Sequence, residues 1–343
     1  MKYVSLGSTG TLVSQVCLGT ANFGGEGTRD YHVLGALKLD DARQLLHAAL
    51  DAGVNFVDTS NSYAEGESEA MLGELLGHRR DDLVLGSKVE NRIGPGPNQV
   101  GLGRVHIMRA LEDSLRRLRT DYLDLYQVHS IDPLTSFDEV LATLDDAVRQ
   151  GKVRYVGCSN LAAWEVMKAL GVSARRNLEP FVSVQAYYSL VGRDLEDELL
   201  PMIRDQHLAL TIWSPLAGGL LSGKFRRDAS TEPGARRATL DFPPVDLEMA
   251  HDVIDALVEI GDAHGVSAAR VALAWTLAQP GVTSVIVGAR RVEQLADNLG
   301  AIDLELSTDE LQRLDAVSAV PARYPAWLQA YTNADRLPRE DGE

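Results

Sequence analysis

LDLYQVHSIDPLTSFDEVLATLDDAVRQGKVRYVGCSN, residues 123–160, decides the reading of the fold. It opens with a short β-rich apolar run, LDLYQVH, and closes with another, VRYVGCS from Val153. Runs this short and this apolar suit strands buried on both faces. Between them SFDEVLATLDDAVRQG has helical periodicity, and Ser136 and Glu139 stand at capping-box spacing. The segment therefore reads strand, helix, strand.

The same alternation extends outward. VCLG (from Val16), NFVDTS (Asn55) and LVLGSKV (Leu83) precede the segment, and VSVQAYY (Val182), LTIWSP (Leu210) and SVIVGA (Ser284) follow it. DDARQLLHAALDAG runs as a helix from Asp40 to Gly53, a residue type suited to a C-terminal cap. Eight strands separated by helices predict an α/β fold closed into a (β/α)8 TIM barrel. An open doubly wound sheet is the rival, but GTANFGGEG after the first run lacks the GxGxxG spacing such a sheet carries there. YVSLGSTGTLVS reads as an N-terminal β-hairpin within about residues 1–15. Long loops are expected at the C-terminal face: NRIGPGPNQVGLGR, the stretch from Leu220 to about Val245, and a polar tail over about 320–343. No linker interrupts the pattern, so residues 1–343 read as one barrel domain.

Bulk properties narrow the function. The 343 residues are 45% hydrophobic and 24% charged, ordinary for a globular enzyme. With 33 Lys and Arg against 49 Asp and Glu, the net charge of −16 argues against nucleic-acid binding, which needs a basic footprint. No apolar run approaches the roughly 18 residues of a membrane span. MKYVSLGSTG has no apolar stretch after its lysine, and Cys17 and Cys158 are too few for a disulfide framework, so a cytoplasmic setting is expected. Oligomeric state is not legible.

Barrel active sites form at the C-terminal ends of the strands. Asp58, Lys88, His129, Ser159 with Asn160, Gln185, Trp213 with Ser214, and Gly288 all fall at or near those ends, on seven successive strands. Singly, each has a plain structural explanation. Asp58 could cap a turn, Lys88 could be solvated, His129 and Trp213 could be packed core residues, and Gln185 could satisfy a buried backbone group. Their shared placement on one rim is what points to function.

Several of these segments resemble the aldo-keto reductase family. NFVDTSNSYAEGESEAMLG is similar to its signature, with Asp58 followed five residues later by Tyr63. LGSKV, LYQVHSID, YVGCSN and VQAYYSL are similar to the segments carrying the family's Lys, His, Ser-Asn and Gln, and WSPLAGGLLSGKF and VIVGARRVEQLADN to its cofactor-clamping segments. The resemblance runs from about Met1 to Ser318 and is nearest to the branch of bacterial general reductases and potassium-channel β-subunits. It implies a catalytic set of Tyr63, Asp58, Lys88 and His129, and NADPH (NADP+) as cofactor, with NADH possible. Carbonyl reduction needs hydride at carbon and a proton at oxygen. Tyr63 would be the acid, Lys88 the cation stabilising its phenolate, Asp58 the partner of Lys88, and His129 a hydrogen-bond donor to the substrate oxygen.

The implied cofactor set is Gly19, Thr20, Ser159, Asn160, Gln185, Trp213, Ser214, Leu216, Gly219, Lys224, Arg237, Gly288, Arg290, Gln294 and Asn298. Trp213 would stack on the nicotinamide, and Ser159, Asn160 and Gln185 would bond its carboxamide. Gln294 and Asn298, four apart on one helix face, would meet adenine. Lys224 with Arg237, or the adjacent Arg236, would hold the 2′-phosphate. Arg290 and Arg291 are rivals for that role, because Gly288 stands where many members of the family have a basic residue. No metal is implied. The partner is a small-molecule carbonyl compound, whose pocket walls are expected from Phe23, Tyr31, residues 91–104 and Trp327. Two other functions fit parts of the pattern: a cofactor-sensing regulatory subunit with slow turnover, and a barrel isomerase or aldolase using Lys88 as a Schiff base.

Overall fold

The computed structural model describes residues 1–28, 32–34, 36–227, 237 and 240–334. Its strands are β1 (Tyr3–Ser5), β2 (Leu12–Ser14), β3 (Val16–Gly19), β4 (Phe56–Asp58), β5 (Val84–Val89), β6 (Leu123–Val128), β7 (Val153–Ser159), β8 (Phe181–Tyr187), β9 (Ala209–Trp213) and β10 (Val282–Val287). β3 to β10 are all parallel and close into a barrel, β10 pairing back onto β3 through Val285 and Val16. The eight expected runs are the eight barrel strands.

Helices α1 (Leu39–Asp51), α2 (Glu67–Leu76), α3 (Arg104–Leu118), α4 (Phe137–Arg149), α5 (Ala163–Arg176) and α6 (Leu199–Asp205) follow β3 to β8 in turn. Among the described residues, α7 (Leu247–His264) and α8 (Ala268–Ala278) lie between β9 and β10. α9 (Val292–Leu299), α10 (Thr308–Val317) and α11 (Ala326–Asn333) follow β10. α1 buries Ala42, Leu45, Leu46, Ala49 and Leu50, the stripe its periodicity requires. Just beyond its end Gly53 takes φ +89°, a backbone that favours glycine. The capping box at Ser136 is half formed. Ser136 Oγ accepts from Glu139 N at 3.3 Å, but Glu139 Oε1 turns away to accept from Arg104 N at the start of α3, 3.0 Å away.

β1 and β2 pair antiparallel, Val4 opposite Val13, and cover the N-terminal end of the barrel. Leu6 and Val13 pack there against Cys17, Phe56, Val84, Leu125 and Ala209. Gly7 has φ +60°, and a Cβ on it would lie 2.6 Å from Val182 O, so the hairpin docks only with glycine at that turn. The floor is therefore sealed with apolar side chains, and the polar strand ends gather at the opposite mouth. Among the described residues no helix is long and apolar enough to cross a membrane.

Candidate active site

Adjacent parallel strands bring Asp58 at the end of β4 beside Lys88 in β5, where Asp58 pairs in register with Gly86. Lys88 is fully buried. Its Nζ lies 2.5 Å from Asp58 Oδ1, 2.9 Å from Thr59 O and 3.2 Å from Tyr63 Oη. An ammonium has three protons, and each has an acceptor here. Burial alone would pull the Lys88 pKa down. The charge of Asp58 and the contacts with Tyr63 more than offset that, and the pKa lies above the ordinary lysine value. A lysine so committed has no lone pair with which to form a Schiff base. Asp58 Oδ2 accepts from Gln185 Nε2 at 2.9 Å and Gln127 Nε2 at 3.3 Å, so both its oxygens are held.

Tyr63 opens a short 3-10 segment in which Ala64, Glu65 and Gly66 have φ +49°, +57° and +94°. Three left-handed residues in a row are costly for two non-glycines. The first three residues of α2 anchor the turn to four different neighbours. Glu67 Oε2 accepts from Gly25 N at 2.7 Å, and Ser68 Oγ donates to Thr20 O at 2.8 Å. Buried Glu69 accepts from Ser87 Oγ at 2.5 Å and from Arg117 Nε at 2.8 Å. Each of these contacts helps fix where the phenol points.

His129 follows β6. Its N donates to Val89 O at 2.8 Å, and its O accepts from Asn160 Nδ2 at 2.9 Å. Its ring meets the Tyr63 ring edge-on, centroids 6.0 Å apart. Burial, then the charge of Lys88, pushes the imidazole pKa down to about 3. At neutral pH the ring is uncharged and carries a single N–H.

On the cofactor side, Ser159 Oγ is buried and has no partner among the described residues. A buried hydroxyl without a bond is costly, and the carboxamide of a nicotinamide would satisfy it. Asn160, with φ +57°, also accepts from Trp213 Nε1 at 2.9 Å. Each end of its amide keeps capacity for one further bond. Trp213 is half-buried between Tyr187, centroids 5.1 Å apart, and Phe242, which lies parallel to it at 5.8 Å. Ser214 Oγ accepts from Gly218 N at 2.9 Å, and Leu216 O accepts from Gly219 N at 2.9 Å. The result is a tight turn in which a Cβ on Gly219 would meet only open space. These groups fit a nicotinamide dinucleotide at the barrel mouth.

Other residues expected on this side are placed less directly. A Cβ on Gly19 would come within 2.7 Å of Ile286 Cγ2, so the barrel interior requires that glycine. Thr20 is buried and contacts Ser68 Oγ at 2.9 Å. Gly288 lies just after β10, with Arg290 two residues further on. Gln294 and Asn298 share α9, where Gln294 Oε1 accepts from Arg290 N at 3.0 Å and Asn298 is buried. Lys224 is exposed. Arg237 donates to Ala217 O at 3.2 Å and Pro243 O at 2.8 Å and pairs with Asp241, acting as a strut within its own loop. Arg236 and Tyr31 lie outside the described residues. Phe23 is fully buried and packs into the core. Trp327 is exposed on α11.

A sequence model of the Aldo/keto reductase family matches residues 15–319. The chain belongs to that family. An uncharacterized oxidoreductase, YrpG of Bacillus subtilis, is 39% identical over 94% of this chain and 97% of its own length. A probable voltage-gated potassium channel subunit beta of Oryza sativa is 34% identical over 96% of this chain and the whole of its own. Norsolorinic acid reductase of Emericella nidulans is 35% identical over 92% and 81%. As an aldo/keto reductase the protein is an NAD(P)H-dependent oxidoreductase acting on small-molecule carbonyl compounds.

The residues that sequence reasoning missed around this aldo/keto reductase site are Gln127, Glu69 and Arg117; Asn91 was expected only as a pocket wall. Gln127 was open to inference, because it stands two residues before His129 and alternation turns it to the same side of β6. Glu69 and Arg117 meet only in three dimensions and leave no local signal.

Proposed function

We propose that this aldo/keto reductase reduces an aldehyde or ketone to the alcohol with NADPH, and that Tyr63 supplies the proton. One observation carries the reading: a buried Lys88 ammonium donates to the phenol oxygen of Tyr63 at 3.2 Å while paired with Asp58 at 2.5 Å. As charge grows on the substrate oxygen, Tyr63 transfers its proton to it. The phenolate left behind sits beside a cation whose charge Asp58 maintains. Neutral His129 donates a second hydrogen bond to that oxygen and sets its angle. Ser159, Asn160 and Gln185 would hold the cofactor's carboxamide and Trp213 would pack on its ring; when bound, it would supply the hydride at carbon. NADPH is preferred through Lys224, and Arg237 acts indirectly by shaping the loop.

The test is NADPH oxidation across a panel of carbonyl compounds, with Tyr63→Phe alongside wild type. Turnover should fall at least about a hundredfold in the variant, with cofactor affinity unchanged. Turnover within about tenfold of wild type would remove Tyr63 from the acid role. Absence of turnover on every panel member would favour a cofactor-sensing subunit instead.

A further inference from the structure

We infer that Asn91 is a positioning residue that holds the ring proton of His129 on Nε2, so that the imidazole offers an N–H to the substrate oxygen. The inference rests on the proposed role of His129 as a donor to that oxygen.

A neutral imidazole has one donor nitrogen and one acceptor nitrogen, and whatever faces one of them decides the tautomer. Here Nδ1 of His129 lies 3.0 Å from Asn91 Nδ2 and 3.3 Å from Ser60 Oγ. An amide nitrogen can only donate. Nδ1 must then present its lone pair, and the proton belongs on Nε2. The reverse tautomer would aim a bare Nε2 lone pair at the lone pairs of a carbonyl, which repels the substrate at the atom where charge develops.

Three further contacts are compatible with this orientation. Asn91 Nδ2 also donates to Ser62 Oγ, 3.2 Å away. Ser60 Oγ accepts from Ser62 N at 3.3 Å, which leaves its hydroxyl proton to be donated. It contacts both Ser62 Oγ, at 3.1 Å, and His129 Nδ1. Both groups facing Nδ1 can therefore act as donors.

The backbone is shaped to deliver Asn91 there. Glu90, immediately before it, has φ +143°, in the region that favours glycine. Its carbonyl is held by Gly101 N at 2.7 Å, while Val89 O accepts from His129 N at 2.8 Å. A non-glycine residue in such a conformation persists only where its surroundings over-determine it. Here they turn the chain out of β5 so that the next side chain reaches across to the end of β6.

The experiment is 15N NMR of the full chain with labelled histidine rings, His129 being assigned by the signals lost in His129→Ala. Wild type should show the Nε2–H tautomer at His129. Asn91→Asp puts an acceptor-only group against Nδ1 and should move the proton there. Its kcat should fall on the order of a hundredfold, the loss typical of one missing oxyanion donor, with cofactor affinity unchanged. Asn91→Ala, which removes the donor without adding charge, should give mixed tautomers and a smaller fall. An Nδ1–H tautomer in wild type overturns the inference without any variant, as does an unchanged tautomer in both variants. Wild-type turnover in His129→Ala would overturn the donor role itself. With the Nε2–H spectrum intact, the fault would then lie in the reading of His129 and not in what Asn91 does to the ring.

Discussion

Around Asp58, Lys88 and Tyr63 the polar contacts run between barrel strands, whereas those of Ser214 and Arg237 in the loop after β9 stay within that loop. Lys88 reaches across to β4, and Gln127 and Gln185 reach Asp58 from two further strands. In the loop, Arg237 bonds Ala217 O, Pro243 O and Asp241, and Ser214 bonds Gly218. Both regions use a run of left-handed residues, Ala64–Gly66 in one and Ala217–Gly219 in the other. The acid side is thus set by the same register that makes the barrel. The cofactor side can vary while the barrel stands.

The largest test of this contrast is Lys88→Met. It strips a buried carboxylate of its cation, so stability should drop by about 3–5 kcal/mol, and turnover should collapse. The double variant Lys88→Met with Asp58→Asn removes both charges. Most of the stability should return in denaturant unfolding while turnover stays lost. Recovered turnover in the double variant would mean that Lys88 serves the fold alone.

Next in size is cofactor recognition. Lys224→Ala should weaken NADPH binding about ten- to a hundredfold, the equivalent of one charge-assisted contact of about 1.5–3 kcal/mol, and leave NADH nearly untouched. Arg237→Ala loosens the loop and should weaken both cofactors by a similar factor. Titrating each variant with each cofactor separates the two. If the selective loss appears in Arg290→Ala instead, the phosphate contact comes from the residues after β10.

The smallest effect is expected at Glu65, exposed and left-handed at φ +57°. Glu65→Gly relieves that strain at some entropic cost and should raise stability by no more than about 1 kcal/mol, with turnover unchanged. A fall in turnover at unchanged Tm would show that stiffness of the turn, beyond its shape, holds Tyr63 in place.

The strands were legible because each is a short apolar run alternating with helical segments, and the rim residues because a barrel confines chemistry to one end. Asp58, Lys88 and Tyr63 meet as expected. What could not be read is which atoms touch. Gln185, expected at the carboxamide, also donates through Nε2 to Asp58. Asn160 links His129 to Trp213. Arg237 braces a loop. Phe23, an aromatic in a loop sequence, turns into the core. Such outcomes depend on side-chain direction across strands distant in the chain, which no local pattern encodes.

The hairpin that seals the floor of the barrel has a use at the bench. Tyr3 and Leu12 stand out from it, 48% and 57% exposed, at the end of the molecule opposite the catalytic mouth. A cysteine placed at either position and coupled to a solid support would orient every copy the same way, entrance outward. A monolayer made so should keep the turnover of the dissolved enzyme, whereas one tethered through Leu134, exposed near the mouth between β6 and α4, should lose it.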